Sequence, residues 1–445
     1  MVIKNKDSII ENGFTEKLKK ARKDVVSVLE NSLNAVDPYN AVEKMIDKGI
    51  LKLKNKDVDL HDFDNVYVIG FGKASFGMTQ AVCDNFDVDS GVAISNKSDD
   101  KVSCENIGCF IGGHPVPNED SLVGAKRVVE IVEKCESNDL VIVLISGGGS
   151  ALLCNPRVDL DDMKKTTGFL LKSGANINEI NTVRKHLSYV KGGQLASYCK
   201  GNMISLIISD IVNDPLEFIA SGPTYPDSTN FQDSYDVLVK YDLWDKVPDD
   251  VRDVINLGLN KEIPETPKAD DVCFDGVLNE VIANNRLAVF SAVDKAKKLG
   301  YNPHVLDTSL TGEARVVASD LLDYINSKEF SDKDFFISGG ETTVTVKGAG
   351  KGGRNQEMVL ASVERIDGRD LLFVSFATDG IDGDSNAAGA VSDGFSLKRA
   401  HDNDLNPNCF LKDNDSYSFF KKLNDVFITG PTGTNVMDIQ IIVKT

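Results

Sequence analysis

The stretch VIVLISGGGSALL, residues 141 to 153, ends an apolar run in three glycines and a serine: Gly147, Gly148, Gly149 and Ser150. Bare backbone at the end of a buried strand lets something bulky and anionic approach peptide N–H groups at a helix start. A tight turn would explain one such loop. Glycine-rich ends on VIGFGK, LISGGGS, FISGGE and FATDGIDG together favour a binding site. Lys73 follows the first of these, just before an expected helix, where a cation opposes the helix dipole and makes sense if it meets an anion. In NTVRKHLSYVKGGQLA (181–196), Arg184 and Lys191 lie seven apart, so on one helix they would share a face. Arg184, Lys185, His186 and Lys191 form a basic cluster in an acidic chain, and that tilts the reading toward anion contact over a solvated face. In GGETTVTVKGAGKGGRNQE (339–357), Glu341 ends a strand, and Lys347, Lys351 and Arg354 stand among glycines, a composition suited to holding phosphates.

Carboxylates supply the complementary chemistry. Asp210 and Asp214 in IISDIVNDP suit Mg2+, which takes one or two carboxylates plus substrate phosphate oxygens. Asp379, with Asp382 and Asp384, sits in SFATDGIDGDSNAAG, which is similar to a calcium loop but lacks its closing Glu. Turn and cap chemistry is the bland alternative for both sets. His114 and His186 are possible acid–base groups, His114 being better suited to a turn between Gly113 and Pro115. Several familiar motifs fail. Leu152 and Ser75 stand where a dinucleotide fingerprint needs its third glycine, no Walker A loop occurs, and Leu144 and Leu152 break the serine-hydrolase elbow around Ser146 and Ser150.

These residues need a scaffold that brings strand ends together. The apolar segments NVYVIG, GVAIS, GCFIGG, LVIVLIS and NMISLIISDI alternate with helical patterns, which predicts an α/β domain with a mainly parallel sheet. Ligands in such sheets sit outside the carboxyl ends of strands. The first 60 residues read as helical. The charged, proline-bearing stretch 245–270 reads as a boundary, giving domains 1–265 and 266–445, a division that 445 residues invite. In the second domain, NEVIANNRLAVFSAVDKAKKLG reads as one long helix and DFFISGGETTVTVKG as two strands.

Composition narrows the partners. A net charge of −19 argues against a nucleic-acid face and against anionic membranes. No apolar run reaches membrane-spanning length, and MVIKNKDSII lacks a signal-peptide core, so a cytoplasmic protein is expected. The eight cysteines form no CxxC pair, and no two of the five histidines pair at zinc-ligand spacing. Small-molecule partners are expected, and a homodimer is among the assemblies the sequence admits.

The ordered motifs GFGKAS, GGHPVPNEDS, SGGGSALL, INTVRKHLSYVKGGQLA and SD…DP…IASGPT resemble the amino-terminal domain of the glycerate 2-kinase family. SGGETTVTVKGAGKGGRNQE, ATDGIDG…AAGA, NDSYSFF and TGPTGTNVMD resemble its carboxy-terminal MOFRL domain. Asn213 stands where many relatives have glycine, the residue freer in left-handed geometry. The resemblance implies a Rossmann-like parallel-sheet amino-terminal domain, a separate α/β carboxy-terminal domain and a cleft between them. It implies ATP-dependent phosphorylation of D-glycerate to 2-phospho-D-glycerate with Mg2+. By motif match, Lys73 and Arg354 correspond to the family's catalytic pair, with Asp210 the first candidate for placing metal or substrate hydroxyl. Gly147, Gly148, Gly149, Ser150, Arg184, Lys191 and Glu341 then become substrate and phosphate contacts, and Asp214 and Asp379 further metal candidates. The competing readings are an NAD(P)H-dependent hydroxypyruvate reductase, a label some relatives carry, and a non-catalytic sugar-acid-binding protein. The missing dinucleotide fingerprint argues against hydride transfer.

Overall fold

The computed structural model describes residues 2–96, 101–327, 331 and 333–444. The chain divides into two compact units. A parallel-sheet unit comprises Pro38–Ser209 and Asp214–Ile282, and a mixed-sheet unit comprises Met1–Asp37, Asp210–Asn213 and Ala283–Thr445.

The parallel-sheet unit is built on six strands: β1 (Val66–Phe71), β2 (Ser90–Ser95), β3 (Ile107–Ile111), β4 (Leu140–Ile145), β5 (Asn202–Ile208) and β6 (Val277–Ala283). Their order is β3-β2-β1-β4-β5-β6, parallel from β3 through β5. This is the doubly wound Rossmann order, whose direction reverses between β1 and β4. All six residues of β4 are buried, as a strand covered on both faces requires, which is why LVIVLI runs apolar without alternation. The loops leaving β1 and β4 at the reversal carry Lys73 and the glycine run. Beside the sheet, helices Leu160–Ser173, Ile177–His186, Phe231–Lys240 and Asp249–Leu259 share an apolar core that includes Leu170, Val183, Phe231, Leu238 and Ile255. The helix of Arg184 starts at a capping box: Asn176 accepts the Glu179 N–H, and Glu179 accepts the Asn176 N–H.

The mixed-sheet unit orders its strands β7 (Asn302–Leu310), β8 (Asp334–Gly340), β12 (Asp438–Lys444), β9 (Leu371–Ala377), β10 (Gly389–Asp393) and β11 (Val426–Phe427). Only β7 and β8 run parallel, because the final strand inserts antiparallel between β8 and β9.

The observed division differs from a single boundary at 265/266. The helix Glu16–Ala35 packs against Asn285–Lys298. Its buried Arg22 meets Asp393 at 2.5 Å and Asp425 at 2.7 Å, so the first 37 residues join the mixed-sheet unit. No boundary signal marks this, since the cause is a tertiary ion pair. The stretch 249–259 is a helix within the parallel-sheet unit. The expected long helix over 279–300 is instead the end of β6 followed by Asn285–Lys298, its start fixed by Asn284, whose side chain caps Leu287 N–H. Residues 46–59 form three short strands, not helix. The alternating TTVTV after β8 forms no strand beyond a single bridge from Thr343 to Glu313. No helix among the described residues is long and apolar enough to cross a membrane.

Candidate active site

At the reversal point, the β1 and β4 loops are bonded to each other. Lys73 N–H donates to the Gly147 carbonyl at 2.9 Å, and Ala74 N–H to Ser146 Oγ at 3.1 Å. Gly148 adopts φ +80°, and a Cβ there would stand 2.8 Å from His114 Cδ2 and 3.3 Å from Lys73 Cγ. A Cβ on Gly149 would meet Ala220 Cβ at 2.7 Å and the Phe71 ring at 3.1 Å. Two of the glycines thus have a steric purpose: Gly148 lets Lys73 and His114 lie against bare backbone, and Gly149 does the same for Ala220 and Phe71. Burial and the neighbouring Lys73 charge push the His114 pKa down to about 4, so this imidazole is neutral at pH 7. Ser150 Oγ lies 2.7 Å from Ser221 Oγ, which donates to Asn181 Oδ1 at 3.1 Å. Ala220 and Ser221 hold φ of 51° and 64°, and Asn213 and Asp214 hold 65° and 51°. Left-handed non-glycine residues concentrate where surrounding structure over-determines them, often at functional sites. Asn213 therefore takes the glycine-like conformation, at the modest cost Asn tolerates.

Arg184 and Lys191 converge, though not on one helix face. The helix ends at His186, and the chain turns through Gly192 and Gly193 at φ +57° and +79°. Lys191 is 1% exposed and donates to the carbonyls of Ser150 and Leu153, both at 2.8 Å. Arg184 Nη2 donates to the same Ser150 carbonyl at 3.1 Å. Burial, then the adjacent Arg184, push the Lys191 pKa down to about 7. Lys185 and His186 serve structure. Lys185 is buried on Glu217 (2.8 Å) and Asp227 (3.2 Å), and His186 lies 2.9 Å from Glu265.

Arg354 is the first residue of the helix Arg354–Ser362. Its Nε and Nη2 donate to the two oxygens of Asp438 at 2.5 and 2.9 Å, and Nη1 meets Glu341 at 2.9 Å. Neighbouring strands β8 and β12 pair Gly340 with Asp438, which brings Glu341 beside it. Burial opposes the Arg354 charge, but Asp438 and Glu341 outweigh it and hold the guanidinium pKa above its ordinary value. Burial, with the charges of Asp438, Asp210 and Asp379, raises the Glu341 pKa against the pull of Arg354. Asp210 and Asp379 therefore share the electrostatic field of Glu341, whereas Asp214 belongs to the other unit. Among the described residues no three His, Cys, Asp or Glu side chains gather as a ready metal cage. An ion of the Mg2+ type needs no such cage, because it keeps waters and takes substrate phosphate oxygens.

The glycine-rich loop before Arg354 does not offer the open backbone its composition suggests. The N–H groups of Lys347 and Gly348 go to Asn414 Oδ1, Ala349 and Gly350 to Asp413, Lys351 to Asp415, and Gly352 to Asp384. Asp382 accepts the N–H of Asn355 at 3.0 Å and of Gln356 at 2.8 Å, capping the Arg354 helix from a distant loop. Its burial, partly offset by those bonds, lifts its pKa to about 6. Asp382 and Asp384 are thus committed to cap and turn chemistry, and Asp379 accepts the Ile381 N–H at 3.0 Å. Sequence reasoning missed Asp438 and Ser221. Asp438 could have been found as the one acid of a mostly apolar terminal strand, DIQIIV.

Residues 24–256 match the model of a domain of unknown function, DUF4147, and residues 334–438 match the MOFRL family. The chain is 42% identical to the glycerate 2-kinase of Pyrococcus horikoshii, covering 93% of this chain and 95% of that protein. The chain belongs to the glycerate 2-kinase family. A second family member, the D-glycerate 2-kinase of Thermotoga maritima, is 36% identical over 94% of this chain and 97% of its own length. The crystal structure of a Thermotoga maritima glycerate kinase superposes with a TM-score of 0.85 at 35% identity, covering 96% of this chain and 100% of that one. A relative from Agrobacterium vitis bearing the name hydroxypyruvate reductase is 37% identical over 84% of this chain and 86% of its own.

Proposed function

We propose that the chain is an ATP-dependent kinase that converts D-glycerate to 2-phospho-D-glycerate. The observation that carries this is the 42% identity to a glycerate 2-kinase across 95% of that protein. The reductase name on one relative has little local support. The sheet has the dinucleotide-binding strand order, yet Ser75 fills the third glycine position of the β1 loop and donates to the Ile94 carbonyl.

Phosphoryl transfer is mostly positioning and neutralisation of spread negative charge. In this reading Lys73 and Arg354 neutralise that charge, and the bidentate Asp438 holds the Arg354 fork in a fixed plane. Lys73 approaches as a point charge laid against Gly148, with neutral His114 beside it. Asp210 accepts or orients the proton of the attacking 2-hydroxyl. Gly147 to Gly149, Ser150, Arg184, Lys191 and Glu341 make up the surrounding contacts. Mg2+, carried with the nucleotide, would neutralise phosphate oxygens, and Asp210 and Asp379 are the carboxylates suited to hold it. Purified protein incubated with D-glycerate, ATP and Mg2+ should release ADP and should not consume NADH with hydroxypyruvate. NADH consumption without ADP release would reverse the assignment.

A further inference from the structure

The parallel-sheet unit contains a cavity of about 250 Å3 with two unlike halves. Its floor is Arg184 and Lys191. Its walls are mostly apolar, with Lys164 and Thr167 among them, and the lip exposes Val116, Leu171 and Ile177 at 57%, 65% and 61%. Large aliphatic side chains gathered this openly around one hollow mark a surface that something covers.

The floor is electrostatically incomplete. Two cations lie side by side, and among the described residues the other titratable group acting on both is the Cys154 thiol, which burial holds toward its neutral form, not a carboxylate. The Nε of Arg184 is sealed from solvent without a hydrogen-bond partner among the described residues. Lys191 spends two of its three donors on carbonyls. The neighbouring Lys185 shows what the same segment does with a structural lysine: it buries it against two carboxylates. Buried charge left without a counter-charge is costly, so an unpaired cationic floor beneath an apolar lip fits an anion with an apolar body.

Of the two reactants required by the proposed kinase reading, on which this inference rests, only one has that shape. Glycerate carries a carboxylate and two hydroxyls and offers no surface for the lip. A nucleotide carries a flat base and a string of phosphates. The other large cavity, about 580 Å3 in the mixed-sheet unit, sets Glu341, Glu357 and Asp384 against the single cation Arg354. The backbone donors of its glycine loop from Lys347 to Gly352 are spent. We propose that the cavity floored by Arg184 and Lys191 is the nucleotide subsite, with the base against Leu171 and Ile177 and the phosphates on the two cations. Ser150 lines this cavity and also belongs to the glycine loop, so the phosphate chain leads from the cations toward Gly148 and Lys73.

The test uses Leu171→Glu in the full chain, a substitution at an exposed position that places negative charge on the lip. ADP binding by calorimetry should weaken tenfold or more, about 1.4 kcal/mol. The KM for ATP should rise in step while the KM for D-glycerate stays within twofold. Arg184→Gln should act in the same direction. Unchanged ADP affinity together with a raised glycerate KM would give the cavity to the organic acid and overturn the proposal. Loss of ADP binding in Leu171→Glu, from a protein that does not phosphorylate glycerate, would uphold the subsite and reject the kinase reading instead.

Discussion

Lys191→Met should make the ligand-free protein more stable and its nucleotide binding weaker. The ammonium is 1% exposed, and burial beside Arg184 lowers its pKa from 10.5 to about 7. A displacement of that size costs on the order of 4 kcal/mol at pH 7 relative to an unshifted lysine. Methionine fills a similar volume without charge. It forfeits the bonds to the Ser150 and Leu153 carbonyls, at about 1 kcal/mol each. The balance is a gain of about 2 kcal/mol at neutral pH, or roughly 4–8 °C in the transition of a unit this size. Because the folded pKa lies below the unfolded one, the folded protein holds fewer protons between about pH 7 and 10.5. Wild-type stability from this group therefore rises with pH across that window, and the advantage of the variant should shrink across it. The neighbours whose charge acts on this ammonium are Arg184, which lowers its pKa, and Cys154, which raises it. Calorimetric melts at several pH values, with and without ADP, read both effects. A lower melting temperature at pH 7 with unchanged stabilisation by ADP would refute the view that this lysine is kept charged for a ligand.

Three further perturbations separate positioning from folding. Lys73→Met should lower kcat by roughly 10²–10⁴ without lowering the melting temperature. In the same variant the His114 titration, followed by NMR, should move up from about 4, since one of its two depressing causes is gone. Asp438→Asn breaks the bidentate hold on Arg354, so kcat should fall about tenfold or more, and melts should show a loss of about 1–3 kcal/mol. Asp382→Ala removes the cap on the Arg354 helix, at about 1–2 kcal/mol near pH 4, where the buried carboxyl is not yet ionised. Since Asp382 has a raised pKa, the wild type loses stability from this group as pH rises from about 4 to 6, and the variant should lack that slope in urea titrations.

The parallel sheet was legible because buried strands such as LVIVLI and their glycine-rich exits have a local signature. The position of Lys73 was legible for the same reason, at a glycine-rich strand exit just before the helix Ser75–Asn85. The pairing of Arg22 with Asp393 and Asp425 was not, because partners about 370 and 400 residues away leave no periodicity. The alternating TTVTV was misleading: Thr345 N–H bonds to Glu313, and the glycines that follow are tied to Asn414 and Asp413, which leaves no ladder to join. The glycines before Arg354 were read as a phosphate cradle because sequence shows donors but not whether they are already bonded. Arg184 and Lys191 were read as a pair for an incorrect helical reason. They meet because the chain beyond the helix runs against residues 155–157, with Tyr189 N–H on the Asn155 carbonyl and Ser188 bridged to Pro156, which sets Lys191 onto the carbonyls of Ser150 and Leu153.

The most direct test of the proposed activity is the identity of its phosphorylated product. With D-glycerate, ATP and Mg2+, the product should be 2-phosphoglycerate, which enolase alone converts to phosphoenolpyruvate. Phosphoenolpyruvate that forms only after phosphoglycerate mutase is added would show the 3-isomer and contradict the account.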